Sequence, residues 1–343
     1  MEKFNPNDIG VANGNFYGLP YSAEESDIVL VSVPWDVTTS YAAGTSQGPQ
    51  AMLDASLQVD LFDESVPRAW EAGIGTLPID ENLYKLNSHA RKIAEEVIGE
   101  LEKGGDGKDL KEKIDEVNAA SCRLNEYVES VTSDFLSKGK TVGLIGGEHS
   151  VPFGYIKALA KKYDDFGVLH IDAHADLRNA YEGFEYSHAS IMYNVLNKIP
   201  QVSKICQVAV RDFCSDESEI MNGGGKVVSF TDKKVHSMKF NGKSWNGICD
   251  EIISALPQRV YISFDIDGLS PELCPHTGTP VPGGMSFREA DYLLEKLKDS
   301  GKTLIGFDLC EVAPGENDEW DANVGVRLLF KLCLYLQANL KNQ

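Results

Sequence analysis

The sequence predicts a three-layer α/β/α fold built around a central parallel sheet. Short runs rich in Val, Ile, Leu and Phe recur along the chain, which is typical of strands buried on both faces of a parallel sheet. Segments with the apolar spacing of helices alternate with these runs, as expected when helices cover both faces of the sheet. Polar clusters follow three of the strands, at the positions where open α/β sheets bind ligands.

The predicted elements follow one another from the N-terminal region to the end of the chain. Strands are predicted at 27–35, 141–146, 166–171, 204–210, 226–230, 259–264 and 303–309. Helices are predicted at 151–163, 244–256 and 286–299, and a terminal helix follows the last strand.

The segment from about 80 to 137 differs from the rest because it predicts two charge-rich helices in succession. The glycines of GGDGKD indicate a turn between them. We predict that the stretch at about 80–120 is an inserted helical segment that packs on the surface or at a subunit contact. A solvated helical hairpin is the alternative.

Three clusters of carboxylates and histidines are the candidate site. They are GGEHS at 146–150, DAHAD at 172–176 and SFDIDG at 263–268, and each follows a predicted strand. Because parallel strands present their carboxyl ends at one edge, we expect the clusters to converge. The six side chains able to bind divalent metal are His149, Asp172, His174, Asp176, Asp265 and Asp267.

Four carboxylates and two imidazoles suit manganese and related first-row ions better than a thiolate-seeking metal. Two such ions about 3.5 to 4 Å apart share a water and lower its pKa towards neutrality. Because the clusters span 149–267, cutting the chain between them would divide the site. We therefore predict a single domain over 1–343.

Composition limits the partners and the location. The net charge of -20 argues against nucleic acid and favours a small cationic substrate, although solubility alone also explains such a charge. The seven cysteines form no CxxC pair and indicate a reducing compartment. No stretch approaches the roughly 18 apolar residues of a membrane-spanning helix. We predict a cytoplasmic protein that binds no membrane.

The ordered motifs resemble those of the ureohydrolases, a family that includes arginase, agmatinase and guanidino-acid hydrolases. The resemblance runs from VPWD at 33–36 to the terminal helix and includes SFDIDGLSP, TGTPVPGG at 277–284 and DLCEVAP at 308–314. It implies an arginase-like fold and the hydrolysis of a guanidinium group to urea and an amine. It also implies two Mn²⁺ per subunit, with Ni²⁺ or another divalent first-row metal as the alternative, and a homo-oligomer, trimeric or hexameric.

The resemblance also implies residue roles. The six clustered side chains would bind the two ions, and which carboxylates bridge is left open. Glu311 would pair with the substrate guanidinium as a carboxylate facing a planar fork. His188 would carry the proton to the leaving amine, a task that suits a histidine.

Three further residues were considered for the site. His170 shares the alternating pattern HIDAHAD and is interpreted as a buried strand residue that supports the site rather than as a ligand. His276 in CPHTGTP receives no role. Trp320, which follows Glu311 by nine residues, is predicted to contact the substrate tail, either lining or closing its channel, with a packing role as the alternative.

Agmatine, converted to putrescine, is the leading substrate because the loop EGFEYSHAS resembles that of agmatinases. Free guanidine or a guanidino acid comes next, and arginine follows. An arginase-fold deacetylase is a different class, but it would use one zinc and a pair of adjacent histidines that this chain lacks. A catalytically silent binding protein is the remaining alternative, against which the complete ligand set counts.

Overall fold

The computed structural model describes residues 4–105 and 108–341. Within them, eight strands form one sheet in which every neighbouring pair is parallel. The strands are β1 Ile28–Val33, β2 Ile74–Leu77, β3 Thr141–Gly146, β4 Phe166–Ile171, β5 Val202–Val208, β6 Val227–Phe230, β7 Arg259–Asp265 and β8 Thr303–Cys310. Their order across the sheet is β2-β1-β3-β8-β7-β4-β5-β6.

Helices connect the strands, and side chains at several helix N-termini accept the free backbone N–H groups of the first turn. The Ser286 hydroxyl and the Glu289 carboxylate form a reciprocal capping box, while Asp80 and Ser244 accept backbone N–H groups at two other helix starts. The helices are α1 Gly48–Ala55, α2 Glu81–Glu102, α3 Lys111–Ser137, α4 Phe153–Lys162, α5 Ile191–Lys198, α6 Ser215–Asn222, α7 Asp232–Phe240, α8 Trp245–Ser254, α9 Phe287–Lys298 and α10 Trp320–Lys341.

Two hydrophobic cores lie on opposite faces of the sheet. In β1, Val29 and Val31 belong to one core while Ile28 and Leu30 belong to the other, as the alternation of side chains along a strand requires. Helices α2 to α6 contribute to the first core, and α1 and α7 to α10 contribute to the second. The predicted three-layer α/β/α arrangement is confirmed.

The helical pair α2 and α3 supplies apolar side chains to the first core. Val97, Val117 and Val128 are fully buried, while most charged residues of both helices lie on the outer side. The two predicted helices are therefore present and are amphipathic. That the segment is an insertion, and that 1–343 is a single domain, stay predictions. None of the described helices has both the length and the apolar character needed to span a membrane.

The centre of the sheet determines where the polar clusters meet. Strands β3, β8, β7 and β4 are consecutive neighbours, and each precedes one of the motifs. The register pairs Asp265 with Cys310 and Ile171 with Phe264, so these strands end nearly level. The loops that carry the candidate residues therefore leave one edge of the sheet side by side.

Candidate active site

Two histidine and carboxylate groups lie at this edge. Nδ1 of His149 is 2.9 Å from Asp172 Oδ2, 3.2 Å from Asp176 Oδ2 and 3.3 Å from Asp265 Oδ2. Nδ1 of His174 is 3.0 Å from Asp267 Oδ2 and 3.5 Å from Asp172 Oδ1. The structure thus brings together all six predicted ligand residues, and the two oxygens of Asp172 join the two groups.

The charge of this cluster favours bound cations. All four carboxylates are buried, and within the described chain no lysine or arginine forms an ion pair with any of them. Burial, and then the neighbouring Asp267 and Asp172 carboxylates, raise the pKa of Asp265 well above its usual range. Burial and Asp172 likewise raise the pKa of Asp176 to about 6. Buried carboxylates in such excess fit a pair of divalent ions.

Residues on the central strands orient His149. Its Nε2 is 2.9 Å from the Ser263 hydroxyl and 3.6 Å from Asp308 Oδ1, while the other oxygen of Asp308 is buried without a hydrogen bond. A proton on Nε2 satisfies these acceptors and leaves the Nδ1 lone pair facing the carboxylates, where both could bind a metal ion. Such partners fix the tautomer of a metal-binding histidine.

His170 supports Asp172, as the sequence predicts. The Gln207 amide is fixed because its oxygen accepts from Ser229 and its nitrogen donates to the Ala175 carbonyl. The same nitrogen lies 3.1 Å from His170 Nδ1, so that ring nitrogen accepts and Nε2 carries the proton. Nε2 then donates to Asp172 Oδ2 over 2.9 Å. His170 acts as a donor to a ligand carboxylate.

Glu311 lies directly beside the cluster. Its Oε1 accepts the His149 backbone N–H at 2.8 Å, and a Cβ atom at Gly278 would come within 3.2 Å of Oε2. Its backbone has φ 64°, a left-handed conformation that non-glycine residues adopt at a cost and that is common at functional sites. Burial and then the nearby Glu148 carboxylate raise the pKa of Glu311 well above its usual range.

His188 lies in the loop between β4 and α5. Its backbone N–H donates to Thr38 Oγ1 at 3.1 Å, and its ring meets Tyr181 edge-on with centroids 6.0 Å apart. Burial, and then the neighbouring His174, lower the pKa of His188 to about 3. The ring is therefore neutral near physiological pH.

A cavity of about 420 Å³ is lined by three of the predicted site residues, His174, Asp176 and His188, whereas Glu311 is not among its described lining residues. Its wall carries the Asp212 carboxylate, which makes no hydrogen bond or ion pair with any described residue. Arg178 also lines it, with its guanidinium 4.9 Å from the Tyr181 ring centroid and its Nε 3.7 Å from Glu217 Oε2. The lining comprises Ser40, Tyr41, His174, Asp176, Arg178, Tyr181, His188, Ala189, Asp212, Phe213, Glu217, Thr279, Pro280 and Val281.

Two residues considered from the sequence lie away from the cavity. Trp320 is half exposed at the start of α10, and its indole N–H donates to the Glu272 carbonyl. It is not among the described residues that line the cavity, so its contact with substrate stays a prediction that the lining does not support. His276 pairs with Asp321, with 2.8 Å between Nδ1 and Oδ1, and so ties a loop to the same helix.

The chain matches known proteins over most of its length. The model of the Arginase family matches residues 26–335. N(1)-aminopropylagmatine ureohydrolase from Thermus thermophilus is 33% identical, over 86% of this chain and 85% of that protein. Agmatinase from Bacillus subtilis is 28% identical, over 91% and 92% of the two chains.

Solved structures share the fold. Agmatine ureohydrolase from Thermoplasma volcanium has a TM-score of 0.74 and 24% identity, with 97% of both chains covered. Arginase from Bacillus subtilis has a TM-score of 0.64 and 22% identity, over 90% of this chain and 98% of that one. The chain therefore belongs to the Arginase family, which confirms the ureohydrolase assignment predicted from its four motifs.

Proposed function

We propose that this protein hydrolyses agmatine to urea and putrescine. The main support is the cavity itself, whose lining combines His174, Asp176 and His188 with Asp212, a carboxylate that has no side-chain partner among the described residues. A guanidinium group held at the cluster and an amine held at Asp212 would occupy the two ends of one extended cationic substrate.

The buried cluster would bind two Mn²⁺ ions, with Ni²⁺ as the alternative metal. His149, Asp172, Asp176 and Asp265 would hold one ion, and His174 and Asp267 would hold the other. Asp172 would contribute to both groups, because its two oxygens face the two histidines. When bound, the ions would lower the pKa of a shared water and so supply the nucleophile.

Glu311 would hold the guanidinium. Its Oε1 is bonded to the backbone of His149, which fixes the carboxylate beside the cluster. A buried carboxylate with a raised pKa favours a cationic partner, and a guanidinium matches it through two parallel hydrogen bonds. The guanidinium carbon, which the nucleophile attacks, would then lie close to the carboxylates that would bind the metal ions.

His188 would accept the proton released by the attacking water and give it to the leaving amine nitrogen. Its neutral ring suits the first of these transfers, and its place in the lining suits the second. Proton transfer by a positioned side chain typically contributes about 10²- to 10⁴-fold to the rate.

The charges on the wall favour an amine tail over a carboxylate tail. Arg178, the cation that would attract a guanidino acid, already faces Glu217 and stacks over Tyr181. Asp212 has no such partner. A cavity of about 420 Å³ also leaves free guanidine poorly enclosed, since ligand sites usually bury most of the ligand surface. N(1)-aminopropylagmatine is a second candidate, favoured by the relative from Thermus thermophilus.

A urea-release assay on protein loaded with Mn²⁺ or Ni²⁺ tests the proposal. The panel is agmatine, N(1)-aminopropylagmatine, guanidine, 4-guanidinobutyrate and arginine, and we expect the highest kcat/KM for agmatine. A protein that hydrolyses guanidine and ignores agmatine would overturn the substrate assignment. A fully metal-loaded protein that releases urea from none of them would favour the silent binding protein. Cytoplasmic location and homo-oligomeric assembly stay predictions.

A further inference from the structure

Thr38 lies between two charged or titratable groups of the site. It follows β1 in the sequence VTTS and is fully buried. Its backbone N–H donates to Glu148 Oε2 at 2.8 Å, and its hydroxyl donates to Glu148 Oε1 at 2.8 Å. On its other side the same hydroxyl oxygen contacts His188. Thr38 is thus a link between Glu148 and His188.

The direction of the Thr38 hydroxyl follows from the groups around Glu148. Ser150 Oγ lies 2.7 Å from Oε1, and Thr39 Oγ1 lies 3.3 Å from Oε2. With the two bonds from Thr38, four donors surround this buried carboxylate, and its ionised form can only accept. Burial raises the pKa of Glu148 to about 7, so the ionised form prevails above neutral pH. The Thr38 hydroxyl proton therefore points to Glu148, and its lone pairs remain for His188.

These lone pairs select one tautomer of the His188 ring. The Thr38 oxygen accepts the His188 backbone N–H and lies 3.3 Å from Nδ1. Because the hydroxyl proton is engaged by Glu148, this contact requires a proton on Nδ1. Ser187 Oγ is farther from Nδ1, at 3.4 Å, and accepts the Ala189 N–H, and its second lone pair can share the Nδ1 proton. The other ring nitrogen, Nε2, has no hydrogen bond among the described residues.

We propose that Thr38 is a positioning residue that holds His188 in the Nδ1–H tautomer, so that Nε2 is the nitrogen that exchanges protons with the substrate. The inference rests on the proposed proton-carrying role of His188. In the proposed reaction, Nε2 takes the proton from the attacking water and returns it to the leaving amine, so the ring ends as it began. The hydroxyl keeps its own proton throughout.

Thr39 offers a matched control for Thr38. It is equally buried and also donates to Glu148, but it has no contact with His188. Thr38→Val and Thr39→Val therefore each remove a hydroxyl from the same carboxylate, and only the first removes the contact with the imidazole. Thr38→Ser keeps the hydroxyl and serves as the rescue.

The experiment combines kinetics with NMR of the histidine rings in the metal-loaded enzyme. For Thr38→Val we expect kcat with agmatine to fall about 10- to 100-fold, the range seen when a group that orients a functional histidine is lost. KM should change less than about twofold, since ground-state binding is untouched. Thr38→Ser should stay near the parent, and Thr39→Val should lose less than about threefold. The His188 signals, assigned by their absence in His188→Asn, should change from the Nδ1–H pattern only in Thr38→Val.

Several outcomes would overturn the inference. Equal losses in Thr38→Val and Thr39→Val would show that Thr38 acts only through Glu148. An unchanged tautomer with unchanged kcat in Thr38→Val would exclude positioning, and full activity of His188→Asn would remove the role that Thr38 serves. If the parent releases no urea from any guanidino compound, the proposed function fails, and the ring tautomer by itself decides whether Thr38 holds the Nδ1–H form.

Discussion

Two regions of the described chain, the sheet edge and the start of α10, place histidines among aspartates, and they differ in charge and burial. At the sheet edge, His149 Nδ1 meets three carboxylates within 3.3 Å, and every member of the group is buried. Near α10, His276 lies 2.8 Å from Asp321 and 3.7 Å from Asp318, where Asp318 is more than half exposed. Distances alone do not separate the two clusters.

The difference is whether the carboxylates are already satisfied. Asp321 is buried, but it accepts both the backbone N–H and the ring of His276. Protonated His276 therefore balances the charge of Asp321. The pair links a loop to a helix and needs no metal ion. The sheet edge, with its two histidine groups, holds four buried carboxylates whose ion-pair partners in the described chain are histidines alone. Uncompensated buried charge, rather than the convergence of donor atoms, distinguishes a candidate metal centre.

The largest expected effect comes from Asp265→Asn. Losing a ligand carboxylate should remove several kcal/mol of transition-state stabilisation, which corresponds to about 10³-fold or more in rate, and should lower the metal content. Metal analysis by mass spectrometry together with the urea assay measures both. Asp318→Asn in the second cluster is the control and should change neither. An active Asp265→Asn variant with two tightly bound ions would refute the ligand assignment.

His188→Asn should separate catalysis from metal binding. We expect metal occupancy close to that of the parent, because His188 is outside both ligand groups, and a fall in kcat of about 10²- to 10³-fold. Steady-state kinetics and metal analysis on the same preparation check this. Turnover at the parent rate over the whole accessible pH range would mean that another group protonates the leaving amine.

Asp212→Asn tests a third kind of carboxylate, one that is exposed and has no side-chain partner in the described part of the chain. If it binds the amine tail, kcat/KM for agmatine should fall about 10-fold, in line with a lost hydrogen bond between charged groups, whereas guanidine, which has no tail, should be unaffected. Asp216→Asn, an exposed neighbour on α6 that is outside the lining, is the control. If kcat/KM fell equally for agmatine and guanidine, Asp212 would act on the metal-binding cluster and not on the amine tail of the substrate.

The smallest effect concerns the pH dependence of stability at His276. The hydrogen bond that the ring donates to Asp321 raises the pKa of His276 above its usual range. Because this pKa is higher in the folded state, the stabilisation is complete below the unfolded value, about 6.5, and is lost as pH rises through the folded value. The ring is partly exposed, so the loss should be less than about 1 kcal/mol.

Denaturant unfolding of parent and His276→Gln at several pH values measures this difference. Burial also raises the pKa of Asp321, which opposes the pairing, while the hydrogen bonds from His276 act in the other direction. A parent that gains stability relative to His276→Gln as pH rises would contradict the sign.

The sequence predicted the central strands better than the small elements at the sheet margins. The predicted strands at 141–146 and 166–171 coincide with β3 and β4, because continuous apolar runs are required where both faces are covered. Strand β2, IGTL, is too short to show such a run. Helices α1, α5, α6 and α7 are eight or nine residues long and were not predicted, since two turns contain too few apolar positions to show helical spacing.

The site could be predicted where a motif carried it and not where tertiary contacts create it. All six ligand residues converge as expected, but Ser263, Gln207 and Asp308 act through neighbouring strands, whose order is not encoded locally. A signal did exist, since each is a polar residue inside an apolar strand, and buried polar groups need partners. Thr38 lies in a polar loop, where one more polar residue does not stand out in the sequence. For Trp320 the sequence could not show that the indole would bond to Glu272.

The position of β8 has a consequence for how the protein matures. This last strand of the described chain lies between β3 and β7, and it separates the strand before GGEHS from the strand before SFDIDG. During synthesis, about three hundred residues must emerge before the middle of the sheet can close. Until then the nascent chain exposes two unpaired central edges, a condition that favours delayed folding and a need for protection from aggregation. Metal uptake by the complete site should accordingly occur late, after β8 has joined β3 and β7 and the sheet is complete.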